Sequence, residues 1–341
     1  MAMPTLHNGI RLSLNENPFG PSPRALQAIR NALTHLSSYA GDDLVDLKAT
    51  IAELDNIAPE QIVLGEVLNV FGLYLAARGG PNGEFLYSEP GYTALVDAVA
   101  PAGGREIGIP LNDRLQNDLP SIAERVSDRT RAVYLVNPHN PTGLVEQKEE
   151  FLTFLRRLSQ RTLVLVDEAY LDYLPDFRER TAARLVREGA RIIVFRTFAK
   201  LHALAGLAFG YALAPPDIAA AMSQIGVGAF FNINRLSLVA ANASLTDHAF
   251  IDTVRTQVEA ERDAWQAMLR DHLVRFTDSQ GNFIFFDTKR PQRLLAAEFA
   301  AMGIDIGRSH SPLETWARIS IGLPETNAIA RRVVANYLSS Q

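Results

Sequence analysis

Three polar groups in this chain each follow an apolar run. Asn137 and Asn140 stand in VNPHNPTG behind AVYLV; Asp167, Glu168 and Tyr170 stand in DEAY behind LVLV; Thr197 and Lys200 stand in RTFAK behind IIVF. A neutral lysine amine can attack a carbonyl and afterwards carry a proton. Each residue also has a plainer use: a surface lysine at a helix start, an aspartate capping a helix, an asparagine in an Asn-Pro turn. The three groups in this order are far more specific than any one of them. The sequence has no cysteine, which excludes disulfides and thiolate chemistry.

These residues need a frame that brings the ends of the apolar runs together. Between about residues 60 and 215, short β-rich runs alternate with longer helical stretches. The strands expected are Ile62–Leu64, Phe85–Tyr87, Glu106–Pro110, Ala132–Val136, Leu163–Val166, Ile192–Phe195 and Phe209–Leu213. Several are continuously apolar, as strands buried on both faces must be. This rhythm predicts an α/β fold with a mostly parallel seven-stranded sheet sandwiched by helices, whose ligands bind beyond the carboxyl ends of the strands. SPRALQAIRNAL reads as a helix capped by Ser22, and Phe250, Ile251, Val254, Val258, Trp265, Met268 and Leu269 fall on a helical stripe. With the strands FIFF and ARISI and a closing helix from Pro324, the flanks suggest a smaller α+β domain. The expected division is a large domain over 39–235 and a small one from 1–38 and 236–341, with a cleft between.

Bulk properties narrow the function. Apolar residues make up 47% and charged residues 21%, which is the composition of an ordinary globular protein, and the net charge of −5 gives no reason to expect nucleic acid. The start, MAMPTLHNGIRLSLNEN, lacks the apolar stretch of a signal peptide, and the longest apolar run, Ile218 to Phe231, is too short and interrupted to span a bilayer. A cytoplasmic location is expected, with no membrane contact and no metal.

VNPHNPTG, VDEAY and RTFAK followed by LAGLAFGY together resemble the fold-type I pyridoxal-phosphate aminotransferases, and the histidinol-phosphate aminotransferase family among them. Further matches run from end to end: LNENPFGPSP (14–23), Tyr39, PGY (90–92), FNIN (231–234), GNFIFF (281–286) and ARISIG (317–322). The resemblance implies that Lys200 is the Schiff-base lysine and that Asp167 keeps the pyridine nitrogen protonated, making the ring an electron sink. It implies that Asn140 and Tyr170 hydrogen-bond the cofactor's 3′-oxygen, that Tyr92 stacks on the ring, and that Thr197, Val67 and Leu68 lie at its phosphate. Tyr39 resembles the tyrosine that reaches the phosphate of the neighbouring subunit, which implies a homodimer with shared sites. Arg318 is the implied clamp for the substrate carboxylate, since guanidinium offers a two-pronged fork. Asn17 and Arg308 are further candidates for substrate contact. The substrates implied are amino acids and 2-oxo acids, with histidinol phosphate and 2-oxoglutarate as the family-level pair.

The chain departs from the family pattern at the phosphate. An arginine is usual in LAGLR-x-GY, and here Ala208 stands in its place. The small-polar stretch resembling G-x-G-S-x-E reads GEVLNVFG (65–72), with Val67 and Leu68 at the small-polar positions and Glu66 adding the wrong sign. Backbone N–H groups at a helix start survive such changes. Losing one charge-assisted contact is worth roughly 1.5–3 kcal/mol, so cofactor binding is expected to be weaker than usual but present. Arg196 is a candidate substitute whose direction the sequence does not give. Two other outcomes fit the same motifs: a decarboxylase similar to the threonine-phosphate enzyme, and a degenerate paralogue that binds without catalysis. The joint presence of Asn140, Asp167, Tyr170 and Lys200 argues against the latter.

Overall fold

The computed structural model describes residues 9–339. Its strands are β1 (Ile10–Leu12), β2 (Ile62–Leu64), β3 (Glu84–Glu89), β4 (Arg105–Pro110), β5 (Thr130–Val136), β6 (Leu163–Asp167), β7 (Ile192–Thr197), β8 (Gly210–Leu213), β9 (Phe283–Asp287), β10 (Ile304–Ile306) and β11 (Trp316–Ser320). Strands β2 to β8 form one seven-stranded sheet in the order β2-β8-β7-β6-β5-β3-β4. Strand β8 is antiparallel to both its neighbours, and the remaining pairs are parallel. All seven expected strands are present, Ile62–Leu64 with the expected bounds and the others with ends shifted by at most two residues.

Alternation along the central strands sorts the side chains onto two cores. Val133, Leu135, Val164, Val166, Ile192 and Val194 pack on one face. Ala132, Tyr134, Val136, Leu163, Leu165, Ile193 and Phe195 pack on the other. A strand reverses its side-chain direction at each step, so Asp167 and Thr197 inherit the second face and Arg196 the first. The helix Leu68–Arg78 lies on the second face, with Phe71 edge-on to Phe195 at 5.3 Å between ring centroids. Its close fit depends on Gly72, because a Cβ there would stand 2.2 Å from the carbonyl oxygen of Leu95.

A third core gathers Leu12, Val254, Trp265, Phe283, Phe286, Phe299 and Ile319 around the antiparallel pair β9–β11 and the helices His248–Asp271, Gln292–Ala301 and Pro324–Ser339. Ser22 caps the helix Pro23–Ala32, its hydroxyl accepting from the Ala25 amide at 3.0 Å. That helix and Arg235–Leu245 pack with the first core through Ala25, Leu238, Ala240 and Ala241, across the boundaries expected from sequence. Two strands were not anticipated. β1 and β10 are three residues each and pair in parallel, Ile10 opposite Ile304, tying the N-terminal segment to the third core. No helix among the described residues is long and apolar enough to cross a membrane.

Candidate active site

The carboxyl edge of the large sheet carries a connected set of polar side chains. Asp167 ends β6 and is buried; Tyr134, on the same face of β5, donates its hydroxyl to Oδ2 at 2.8 Å, and the Ala169 amide donates to Oδ1 at 3.0 Å. Burial pushes the Asp167 carboxyl up, more strongly than these hydrogen bonds and Lys200 pull it down. Burial likewise raises the Tyr134 hydroxyl, so it remains a donor. Lys200 follows β7 through a turn in which the Thr197 hydroxyl accepts from the Ala199 amide at 3.0 Å. Its Nζ donates to the Leu14 carbonyl at 3.0 Å and lies 5.8 Å from the centre of the Tyr170 ring.

Tyr170 and Asn140 link this end to Arg318. The Tyr170 hydroxyl accepts from Asn15 Nδ2 at 3.0 Å and from Asn140 Nδ2 at 3.4 Å. Asn140 Oδ1 in turn accepts from Arg318 Nη1 at 2.6 Å, while Nη2 of Arg318 donates to the Ser13 carbonyl at 2.6 Å. Arg318 is buried on β11, which lowers its pKa, and its Nε has no hydrogen-bond partner. Gly307 permits that placement, because a Cβ there would meet the Arg318 carbonyl oxygen at 2.6 Å and Nε at 3.2 Å. Tyr92 completes the group from the loop after β3. Its hydroxyl is pushed up first by burial and then by Asp167, Tyr170 and Glu66.

A lysine, a buried carboxylate, a phenol, an amide and an open guanidinium edge therefore converge where a parallel sheet presents its ligands. The sequence profile of the family "Aminotransferase class I and II" matches residues 7–333. The chain belongs to that family. It is 31% identical to the histidinol-phosphate aminotransferase of Limosilactobacillus fermentum over 97% of this chain and 91% of that one. It is 33% identical to histidinol-phosphate aminotransferase 2 of Pseudomonas fluorescens over 97% and 89%. Among solved structures, a putative histidinol-phosphate aminotransferase from Erwinia carotovora atroseptica superposes with a TM-score of 0.89 at 29% identity, covering 100% of this chain and 99% of that one. The Sinorhizobium meliloti histidinol-phosphate aminotransferase in complex with pyridoxal 5′-phosphate gives 0.87 at 27% identity over 97% and 91%.

Within this aminotransferase the other expected site residues are placed unevenly. Val67 and Leu68 are buried at the start of the helix Leu68–Arg78, where no side chain caps the first-turn N–H groups. Asn17 spends its amide on the backbone, donating to the Leu201 carbonyl at 2.7 Å and accepting from the Phe19 amide at 3.0 Å. Its neighbour Asn15, not singled out in the sequence, is the one that reaches Tyr170. Asn15 holds a left-handed backbone (φ 54°), a conformation asparagine tolerates. Tyr39 stands on the surface, 74% exposed and edge-on to Phe230 at 5.5 Å. Arg308 is exposed and makes no hydrogen bond or ion pair among the described residues, although its charge is felt by Arg318 and His310.

His139 and His310 were also missed. Both are buried, burial holds each down to about 3, and each has an Nε2 without a partner. They are neutral at physiological pH. Arg318 and His139 both act on His310, so these imidazoles sit on the Arg318 side of the group.

Arg196 is a correction. It does not replace the missing cation, because strand alternation turns it to the face opposite Thr197. There it donates to Asp55 at 2.9 and 3.1 Å, to Glu168 Oε2 at 3.1 Å, to Thr181 at 2.8 Å and to the Tyr211 hydroxyl at 3.2 Å. All three charged side chains are buried. Arg196→Leu leaves two buried carboxyls without their cation and is expected to cost about 3–5 kcal/mol. Urea unfolding measures this, and a variant within 1 kcal/mol of the parent would refute the network's structural role.

Proposed function

We propose that this aminotransferase carries pyridoxal 5′-phosphate at the carboxyl edge of the sheet and moves an amino group from histidinol phosphate, or an amino acid, to a 2-oxo acid. The convergence of Lys200, Asp167, Tyr170, Asn140 and Arg318 at one edge carries this reading. The fit to the cofactor's ring is supported by Asp167. Among the described residues, hydrogen bonds reach this buried carboxyl only from a phenol and an amide, and a pyridine N–H is the kind of partner its raised pKa lacks. When bound, the cofactor supplies an electrophilic aldehyde and an electron sink for the bonds of the substrate's Cα.

The chain's own residues do the rest. Asp167 holds a proton on the pyridine nitrogen. Tyr170 and Asn140 orient the ring oxygen, and Tyr92 covers the ring's face. Lys200 Nζ would carry the proton from the substrate's Cα to the carbon that the cofactor's aldehyde supplies. Arg318 has its Nε free to receive a carboxylate, and Arg308 at the rim adds a second positive charge for an anionic substrate. Helix-start N–H groups and Thr197 hold the phosphate. A homodimer in which Tyr39 of one copy reaches the phosphate site of the other accounts for that residue's exposure.

Added pyridoxal phosphate should give a visible absorbance band, and borohydride should fix the cofactor to the Lys200 peptide. Histidinol phosphate should then bleach the band, and a 2-oxo acid should restore it. No band, or a label elsewhere, would overturn the reading.

The missing arginine gives a further test. Ala208 is exposed and sits in a left-handed conformation (φ 47°) that arginine adopts at no extra cost over alanine. Ala208→Arg is expected to tighten cofactor binding about ten- to hundredfold, the worth of one charge-assisted hydrogen bond. An unchanged Kd in an absorbance titration refutes that account.

A further inference from the structure

We propose that the amino edge of the large sheet holds a second binding site, for a phosphate monoester with a compact apolar group. The site is separate from the Lys200 cleft, and the inference stands whatever fills that cleft.

Three parallel strands begin at this edge. Thr130 opens β5, Thr162 precedes β6 and Arg191 precedes β7. Between them, the end of the helix Leu68–Arg78 and the start of the helix Pro216–Gln224 lies a pocket of about 530 Å³. That volume is usual for small-molecule sites. Asp167 ends β6 five residues after Thr162, which at the rise of a strand is about 16 Å away. Leu75, Leu163 and Ile218 supply an apolar wall, and Arg78, Arg131 and Arg191 supply three cations. Asp217 is the one carboxylate among the lining residues. The pocket therefore carries a net charge of +2 (three minus one), in a chain whose net charge is −5.

Arg131 is aimed here by an irregularity in the sheet. Glu84 pairs with Thr130 and Phe85 with Ala132, so Arg131 is the extra residue of a β-bulge. Bulges turn a side chain away from the strict alternation of its strand. Its Nε donates to the Gly79 carbonyl at 2.7 Å and its Nη1 to the Asp128 carbonyl at 3.4 Å, which leaves Nη2 without a partner among the described residues. Gly79 and Gly83 make room for the stem, since a Cβ at these positions would stand 2.9 and 2.6 Å from Arg131 Cγ. The bond to Gly79 also covers a carbonyl at the negative end of the helix, which would otherwise repel an anion. Arg78, in the last turn of that helix, lies over the Tyr74 ring at 5.6 Å and forms no ion pair among the described residues. Arg191 meets only Asp217, at 3.5 Å.

The wall also holds a donor with nothing to receive it. Thr162 is 9% exposed, and its hydroxyl is buried with no hydrogen-bond partner. An unpaired buried hydroxyl is costly, and native chains seldom keep one without a use. Thr130 is also buried; its hydroxyl accepts from the Ser127 amide at 3.0 Å and finds no acceptor for its own proton among the described residues. Two hydroxyl protons and three guanidinium groups suit the oxygens of a phosphate ester and its charge of about −1.5 to −2. The ester's apolar group would rest on Leu163 and Ile218.

Calorimetric titration with phenyl phosphate tests this on the full-length protein, loaded with pyridoxal phosphate and then desalted so that free cofactor does not compete. Phenyl phosphate should bind at least about tenfold more tightly than inorganic phosphate, which lacks the ring, or benzoate, which lacks the second charge. Thr162→Val keeps the shape and removes the hydroxyl, and it should weaken binding about tenfold, as should Arg131→Gln, each losing a charge-assisted hydrogen bond. Asp217→Asn should tighten binding about two- to fivefold by releasing Arg191. A merely structural cluster gives no such change of sign, and the comparison survives if Arg131→Gln fails to fold. Binding that shifts the cofactor's visible band and ignores all three substitutions belongs to the Lys200 cleft and overturns the proposal. The absence of saturable binding does the same. Inorganic phosphate or benzoate binding as tightly as phenyl phosphate would overturn the class of ligand.

Discussion

Lys200→Ala will lower turnover by about four orders of magnitude or more, while leaving the fold almost untouched. The size reflects two losses at one atom. Nζ is the amine proposed to attack the cofactor's carbonyl, and it is also the base proposed to carry the Cα proton, a role worth about 10²–10⁴ by itself. The small structural cost follows from its contacts. Lys200 is half-buried, and its amine donates one hydrogen bond, to the Leu14 carbonyl, worth about 1 kcal/mol net. Single-turnover bleaching of the cofactor band measures the first effect and thermal melting the second. A small external amine should restore part of the rate by replacing the missing proton carrier. Retention of more than about a hundredth of the parent rate would remove Lys200 from the mechanism.

Asp167→Asn gives the second large effect, and its two readouts move in opposite directions. Turnover should fall by about two to four orders of magnitude, because an amide cannot hold the pyridine nitrogen protonated. Cofactor-free protein should instead become more stable at neutral pH. Burial raises the native carboxyl's pKa above its unfolded value. Such a group contributes stability that is present below about 3.9, the unfolded pKa, and lost as pH rises through the native one. Asparagine has the same shape and no charge to bury. The melting advantage of the variant should therefore grow from pH 4 to pH 7. A cofactor-free variant that melts below the parent at pH 7 would mean that Asp167 is an ordinary structural carboxylate.

The same opposition runs through the site. Arg318 is buried with Nε unpartnered, His139 and His310 keep unpartnered nitrogens, and the helix that begins at Leu68 has no side-chain cap. Each is a cost to the folded chain that a bound anion or ring can repay, and functional sites commonly store such costs.

The large sheet was legible because strands buried on both faces must be apolar, and AVYLV, LVLV and IIVF had no other use. Strands β1 and β10 were not legible, because three residues carry no periodicity and their pairing, Ile10 with Ile304, spans nearly the whole chain. Tyr134 looked like core and is core, but β5–β6 register sets Val136 opposite Asp167 and so brings the Tyr134 hydroxyl to the carboxylate. Arg196 could have been read more sharply. Alternation alone separates it from Thr197, although the partners waiting on its own face, Asp55 and Glu168, come from other segments.

What the sequence determined by itself was the inventory and its order: which groups end which strands, that the lysine comes last, and that no cation accompanies it where Ala208 stands. Only the tertiary structure decided which atoms those groups face. Arg318 meets Asn140 across 178 positions, and Asn15 rather than Asn17 meets Tyr170 across 155. Period and propensity act over a few residues, so they place a side chain on a face and at an end. Hydrogen-bond partners and buried charge are set by segments that only packing brings together, which is why the cation of Arg196 is spent on Asp55 and Glu168.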